Sequence, residues 1–169
     1  MADKYLFINK TTGQITEREA LVVSAGAGDA GKIVALDASG RIDSSMMPVG
    51  IGADTASIQA SEALAAGDFV NVHNASGARV RKADGTTAGK EAHGFVLAAV
   101  TSGAQATVYF EGTNTQVSGL TPGVQFLATT AGTATATAPA AAGNVIQRVG
   151  VATSATALNF EPGVAVVLA

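Results

Sequence analysis

The sequence predicts an all-β protein, a β-barrel or β-sandwich built from two related halves and preceded by an extended N-terminal arm with little regular structure. Three observations lead there. Over residues 56–169, short β-branched runs alternate with Gly turns, and turn signals recur roughly every 8–12 residues, the spacing of a sandwich or barrel. No segment of that stretch has the length and the period of about 3.6 residues of an amphipathic helix. An internal repeat joins residues 60–112 to residues 116–163.

Residues 1–55 form the arm. Tyr5-Leu6-Phe7-Ile8 reads as a short strand, and Asn9-Lys10-Thr11-Thr12-Gly13 as a turn. Thr16 followed three residues later by Glu19, just before Ala20-Leu21-Val22-Val23, fits a capping box and one or two helical turns. A strand through Ala20–Ser24 competes equally. Lys32–Leu36 is a brief apolar stretch, Asp37-Ala38-Ser39-Gly40 a turn, and Arg41-Ile42-Asp43 a possible return strand. Ser44-Ser45-Met46-Met47-Pro48 breaks the pattern, because Pro donates nothing to a ladder. Isolated apolar anchors at Ile33, Leu36, Met46, Met47 and Ile51 suggest an arm that docks onto something.

Residues 56–169 form the main domain. Strands are expected at Phe69–His73, Ala78–Lys82, Gly94–Val100, Ala106–Glu111, Gln125–Thr129, Thr133–Thr137, Val145–Ala152, Ala157–Glu161 and Val164–Leu168. The repeat aligns Leu64, Gly67 and Phe69 with Leu120, Gly123 and Phe126. It also aligns Gly94 with Gly150, and Phe110-Glu111 with Phe160-Glu161. Two copies of four strands suggest a pseudo-two-fold barrel or sandwich.

Composition removes several classes of function. The 169 residues contain no Cys and no Trp, so there is no disulfide framework, Cys metal site or Cys nucleophile. Net charge is −3, which disfavours nucleic acid as a partner. The first ten residues carry charges at Asp3 and Lys4 and no apolar run of the length a secretory signal has, so no such signal is expected. The apolar tract Val164–Ala169 is too short to span a bilayer, and no membrane partner is expected. Leu, Ile, Val and Phe are frequent enough to build a core. Charged residues are only 14% of the chain, and from Ala92 onward they are Glu111, Arg148 and Glu161 alone. A surface so poor in charge suggests cover by other copies or by a partner.

The candidate chemical motifs are weak. Gly26-Ala27-Gly28-Asp29-Ala30-Gly31-Lys32 resembles a phosphate-binding loop. Ile33 stands where a hydroxyl would be needed, and no helix follows, so a linker is expected. His73 and His93 sit at strand ends without a ligand or triad pattern around them. Glu111 and Glu161 precede Gly turns and read as surface carboxylates, or as ion-pair partners for a neighbouring subunit. Arg79, Arg81 and Lys82, with Lys90 nearby, form one basic cluster. Arg79 and Arg81 share a strand face and would suit an acidic protein surface. Two glycosylation sequons, at Asn9 and Asn74, read as chance.

The segment Gly31–Pro48 resembles one common in tailed-bacteriophage virion proteins, where it precedes a β-domain. The stretches Ala66–Val72, Arg81–Asp84, Ala92–Val96, Leu120–Gly123 and Asn144–Val151 resemble a β-module of phage head decoration (cement) proteins and some tail-fibre proteins. This resemblance covers residues 31–163. It implies a structural virion protein on the outer capsid surface, made in the host cytoplasm, with no enzymatic role and no cofactor. It implies the major capsid protein and further copies of the chain, as a homotrimer, as partners. Ile33, Leu36, Met46, Met47, Arg79, Arg81 and Lys82 are the candidate capsid or inter-subunit contacts. The alternative is a tail or tail-fibre component contacting a host surface.

Overall fold

The computed structural model describes residues 4–47 and 54–169. The chain divides into two compact units, Met1–Gly52 and Ala53–Ala169. Among the described residues, regular structure is β-strand apart from two short 3-10 turns. The all-β class expected from the sequence is the class observed.

In the first unit, β1 (Lys4–Ile8) pairs antiparallel with β2 (Ile15–Glu19). Asn9 makes the turn: its carbonyl accepts the Gly13 N–H at 2.8 Å and its side chain accepts the Thr11 N–H at 2.9 Å. Thr16 to Glu19 are therefore strand rather than a helix start. Ladder bonds to β1 satisfy the backbone groups that a cap would have served, and β-branched Ile15 and Thr16 suit the pleat. Beyond β2, Leu21 forms a single parallel bridge to Val34, with its N–H on the Ile33 carbonyl at 2.8 Å. Lys32–Leu36 gains no other ladder. The turn after it forms as expected, closed by the Asp37 N–H on the Arg41 carbonyl at 2.8 Å. Residues 41–43 do not return as a strand. Short 3-10 turns occupy Ala27–Asp29 and Ser44–Met46. No described residue of this unit is buried.

The second unit begins with a closed barrel. Its strands are β3 (Thr55–Ala60), β4 (Phe69–Asn74), β5 (Ala78–Lys82), β6 (Gly94–Phe95) and β7 (Gln105–Tyr109), in the order β3-β5-β4-β6-β7. Only β3 and β5 pair in parallel, with Gln59 beside Arg79 and Ala60 beside Val80. Ala60, Leu64, Val70, Val80, Val96, Ala106 and Val108 fill the barrel. A narrow barrel closes only around side chains of this size.

The rest of the unit is a five-stranded antiparallel sheet with a small appendage. Its strands are β8 (Gly112–Asn114), β9 (Gly123–Leu127), β10 (Ala134–Thr135), β12 (Arg148–Ser154) and β13 (Ala157–Phe160). The intervening β11 (Val145–Ile146) pairs instead with β14 (Val166–Val167). The sheet order β10-β9-β12-β13-β8 and the barrel order β5-β4-β6-β7-β3 follow the chain in the same way. Gly94 and Gly150 hold the same place in both. A Cβ on Gly94 would lie 2.6 Å from the Tyr109 carbonyl oxygen, and one on Gly150 would collide with the Asn159 carbonyl.

The halves differ in closure. β3 and β5 seal the barrel, whereas β8 and β10 do not pair with each other. Residues 67–69 contribute bonds to that side of the sheet instead: Phe69 N–H donates to the Gly132 carbonyl at 2.9 Å, and the Asn114 amide donates to the Gly67 carbonyl at 2.9 Å. A second core fills this seam from both halves, with Phe69, Ala83, Ala92 and Phe95 against Leu127, Val149, Leu158 and Phe160.

Candidate functional site

In the first unit, Ile33, Leu36 and Met47 are exposed and Met46 is half-buried. Ile33 and Leu36 flank an open cleft of about 620 Å³ with Tyr5, Val22 and Val34. The Tyr5 hydroxyl accepts the Ile33 N–H at 3.4 Å, which fixes one wall. The Ser44–Met46 turn is held by Ser45, whose hydroxyl oxygen accepts the Ser24 N–H at 2.9 Å. Asp43 caps the same turn by accepting the Ser45 N–H at 2.9 Å. Hydrogen bonds from the Ser45 side chain and then its backbone hold the Asp43 carboxyl below the usual range. Pro48 and Ile51 lie outside the described residues.

The glycine-rich motif carries one short 3-10 turn, Ala27–Asp29, and no helix follows it. Its 3-10 turn brings Asp29 onto the Ala25 N–H at 2.7 Å and the Lys32 ammonium at 2.6 Å. The Lys32 hydrogen bond, followed by that from Ala25, depresses the Asp29 carboxyl. A carboxylate of the chain itself thus engages the Lys32 ammonium and the Ala25 N–H.

On β5, Arg79 and Arg81 share the outer face, with Val80 turned into the barrel. The chain itself engages most of this cluster. The Arg81 guanidinium donates to Asn71 Oδ1 at 3.1 Å and to the Gly89 carbonyl at 2.6 Å. Lys82 lies 3.5 Å from Asp68, and Lys90 lies 3.0 Å from Asp84. Neither Arg79 nor Arg81 makes an ion pair among the described residues, and Arg79 is the less engaged of the two: its guanidinium donates to the carbonyl of its neighbour Ala78 at 3.1 Å.

Beside this cluster is a contact that sequence spacing does not reveal. Ser61 Oγ and His73 Nε2 are 3.0 Å apart, and Ser61 Oγ also donates to the Val80 carbonyl at 3.0 Å. The pair lines an open cleft of about 350 Å³ with Glu62, Arg81, Lys82 and Asp84. It has the spacing of a nucleophile and a base. No carboxylate among the described residues bonds to the His73 ring, and Glu62 is engaged by the Lys82 N–H at 2.7 Å. As placed, the pair ties the end of β3 to β4. His93 Nδ1 accepts the Val72 N–H at 3.0 Å, which leaves its proton on Nε2 in the neutral ring.

Glu111 and Glu161 line one cleft with Gly112, Asn159 and Phe160. Glu161 accepts from the Arg148 guanidinium and the Asn159 amide, each at 3.2 Å. Its ion pair is therefore made within the chain. No cluster of three or more His, Cys, Asp or Glu side chains suited to a metal occurs among the described residues.

Two exposed apolar surfaces complete the picture, the first on the charge-poor stretch where the sequence suggests cover by other copies or a partner. Val124, Val164, Val166 and Val167 are exposed on the second half. The only two charges of residues 112–169, Arg148 and Glu161, neutralise each other at 3.2 Å. The other is one face of the β1–β2 hairpin, where exposed Leu6, Ile8 and Ile15 stand beside Lys4, Glu17 and Glu19. The unbroken apolar run from Tyr5 to Ile8 was its signal: a strand apolar at successive positions is apolar on both faces. No family model matches the chain, and no curated protein or solved structure matches it either.

Proposed function

We propose that this chain is a structural protein of a tailed-bacteriophage virion: a decoration, or cement, protein that binds the outer surface of the capsid and stabilises contacts between capsomers. One observation carries the reading. The first unit has no buried side chain among its described residues, yet Ile33, Leu36 and Met47 stand exposed on it. Such a unit is a docking element, since its apolar area leaves water only against another surface. The resemblance of residues 31–163 to phage virion proteins supplies the class of that surface.

The mechanism is mechanical. The second unit contributes a rigid body with two filled cores, and the first contributes the contact. Copies associate with each other as a homotrimer and with the major capsid protein. Each single contact is modest, and linked contacts raise overall avidity by roughly 10²–10⁴ over one site. Arg79 is the residue of the basic cluster left to meet an acidic patch on the capsid.

Co-sedimentation tests this. Full-length chain and a fragment of residues 53–169 are mixed with capsids lacking the protein. The full chain sediments saturably with the capsids and the fragment does not. A full chain that stays in the supernatant would count against capsid binding and leave the tail or tail-fibre alternative.

A further inference from the structure

We propose that His93 is an acid-sensitive latch on the barrel wall: its neutral ring holds the Val72 N–H, and a second ring proton releases it. The inference concerns the second unit alone and does not rest on the capsid reading.

The wall between β4 and β6 is short. Backbone pairing there joins only Phe69 to Phe95 and Val70 to Gly94. The His93 N–H adds one bond, to the Val70 carbonyl at 2.8 Å. Farther along β4, the Val72 N–H goes to a side chain instead of a backbone carbonyl: His93 Nδ1 accepts it at 3.0 Å. An imidazole therefore makes the last bond of this wall.

A ring nitrogen that accepts a backbone N–H carries no proton of its own. A carbonyl in that place would be indifferent to mild acid, whereas histidine side chains exchange their charge between about pH 8 and pH 5. The bond is present at the upper end of that interval. It is lost as the ring gains a proton on Nδ1, because two N–H groups then face each other. The release stays local. Gln147 grips the preceding Ala92 at 2.7 and 3.0 Å, and buried Phe95 stacks on Tyr109. The His93 side chain is exposed, so its ring can swing into water without opening either core.

The charges around the ring come from few groups. Glu91, on the same segment, interacts with His93 and favours the charged ring, and it is shared with Arg81 of β5. His73, next to Val72 on β4, is turned to Ser61, with its Nε2 3.0 Å from the Ser61 hydroxyl. Tyr109 of β7 lies opposite Phe95. No ion pair reaches the His93 ring among the described residues.

Amide exchange of the full chain, divided by the intrinsic rate at each pH, tests this on the wild type, His93→Phe and His73→Gln. In the wild type, protection of the Val72 amide should fall by roughly tenfold between about pH 8 and pH 5, the scale of one backbone hydrogen bond. Asp84 and Glu91 take up protons below that interval, so their titration does not enter. The Phe69 amide, bonded to the Gly132 carbonyl, should stay protected throughout and reports that the second unit is folded. His93→Phe should leave Val72 weakly protected at both ends of the interval, and His73→Gln should keep the wild-type profile. A flat wild-type profile at Val72 overturns the proposal. So does a fall that survives in His93→Phe or disappears in His73→Gln.

Discussion

Phe69 and Phe160, one from each half of the second unit, stack with ring centroids 5.8 Å apart. Phe95 meets Phe160 edge-on at 5.6 Å and stacks on Tyr109 at 5.4 Å. The barrel and the open sheet therefore share one core. Phe160→Ala should cost about 3–5 kcal/mol, the usual loss for a fully buried Phe. Urea unfolding of the variant should show one transition at lower urea for both halves. Two separated transitions, with the barrel's unchanged, would mean that the halves are independent.

Gln147 spans the same seam by gripping one residue. Its Oε1 accepts the Ala92 N–H at 2.7 Å and its Nε2 donates to the Ala92 carbonyl at 3.0 Å. Gln147→Leu strands both groups in the core, at about 1–3 kcal/mol for each buried group left unpaired. Hydrogen exchange at the Ala92 amide should accelerate markedly in the variant. Exchange at the wild-type rate would show that the clamp is not what protects it.

Gly94 admits no side chain, because its backbone is packed against the Tyr109 carbonyl. Gly94→Ala forces β6 and β7 apart and should destabilise the second unit by about 1–3 kcal/mol, the usual cost of overpacking. Gly28→Ala, where a new Cβ meets nothing within 4 Å, is the control and should be silent. Equal thermal midpoints for the two variants would contradict this packing.

The loop of residues 84–91 should be sensitive to acid. Burial pushes the Asp84 carboxyl up, but the Thr86 hydroxyl, the Lys90 ammonium and the Thr86 amide outweigh it, so the group lies below its ordinary 3.8. Glu91 is lowered in the same way, first by the Gly89 amide it accepts. A carboxyl depressed in the folded state contributes stability above its unfolded pKa and loses it as pH falls through the folded value. The loop should hold at neutral pH and loosen below about pH 4. Asp84→Asn/Glu91→Gln should remove most of that dependence, read as amide exchange of residues 84–91 against pH. An unchanged pH profile would contradict this account of the loop.

Strand existence was readable where β-branched residues cluster between turns, and least where neighbours decide. Ala78–Lys82 is a strand as expected. Thr55–Ala60 was missed because Ile58 is its only strong apolar strand former, and pairing with β7 makes it a strand. The expected strand Gly94–Val100 stops at Phe95. Val96 turns its N–H to the Asp68 carbonyl at 3.0 Å, and Val100 bridges Leu64, so the chain changes partners midway. Tertiary pairing likewise overrode the capping pattern at Thr16 and Glu19. The basic cluster was legible as an alternation. Its use within the chain was not, because Asn71, Gly89 and Asp68 reach Arg81 and Lys82 only through the fold. Ser61 and His73 meet for the same reason.

The proposed capsid role is tested most directly by electron cryomicroscopy of tailed-phage particles that carry this chain or have been incubated with it. The account predicts many copies projecting from the outer surface of the head, seated between capsomers through their first units. Copies confined to the tail, or a particle lacking the protein, would contradict it.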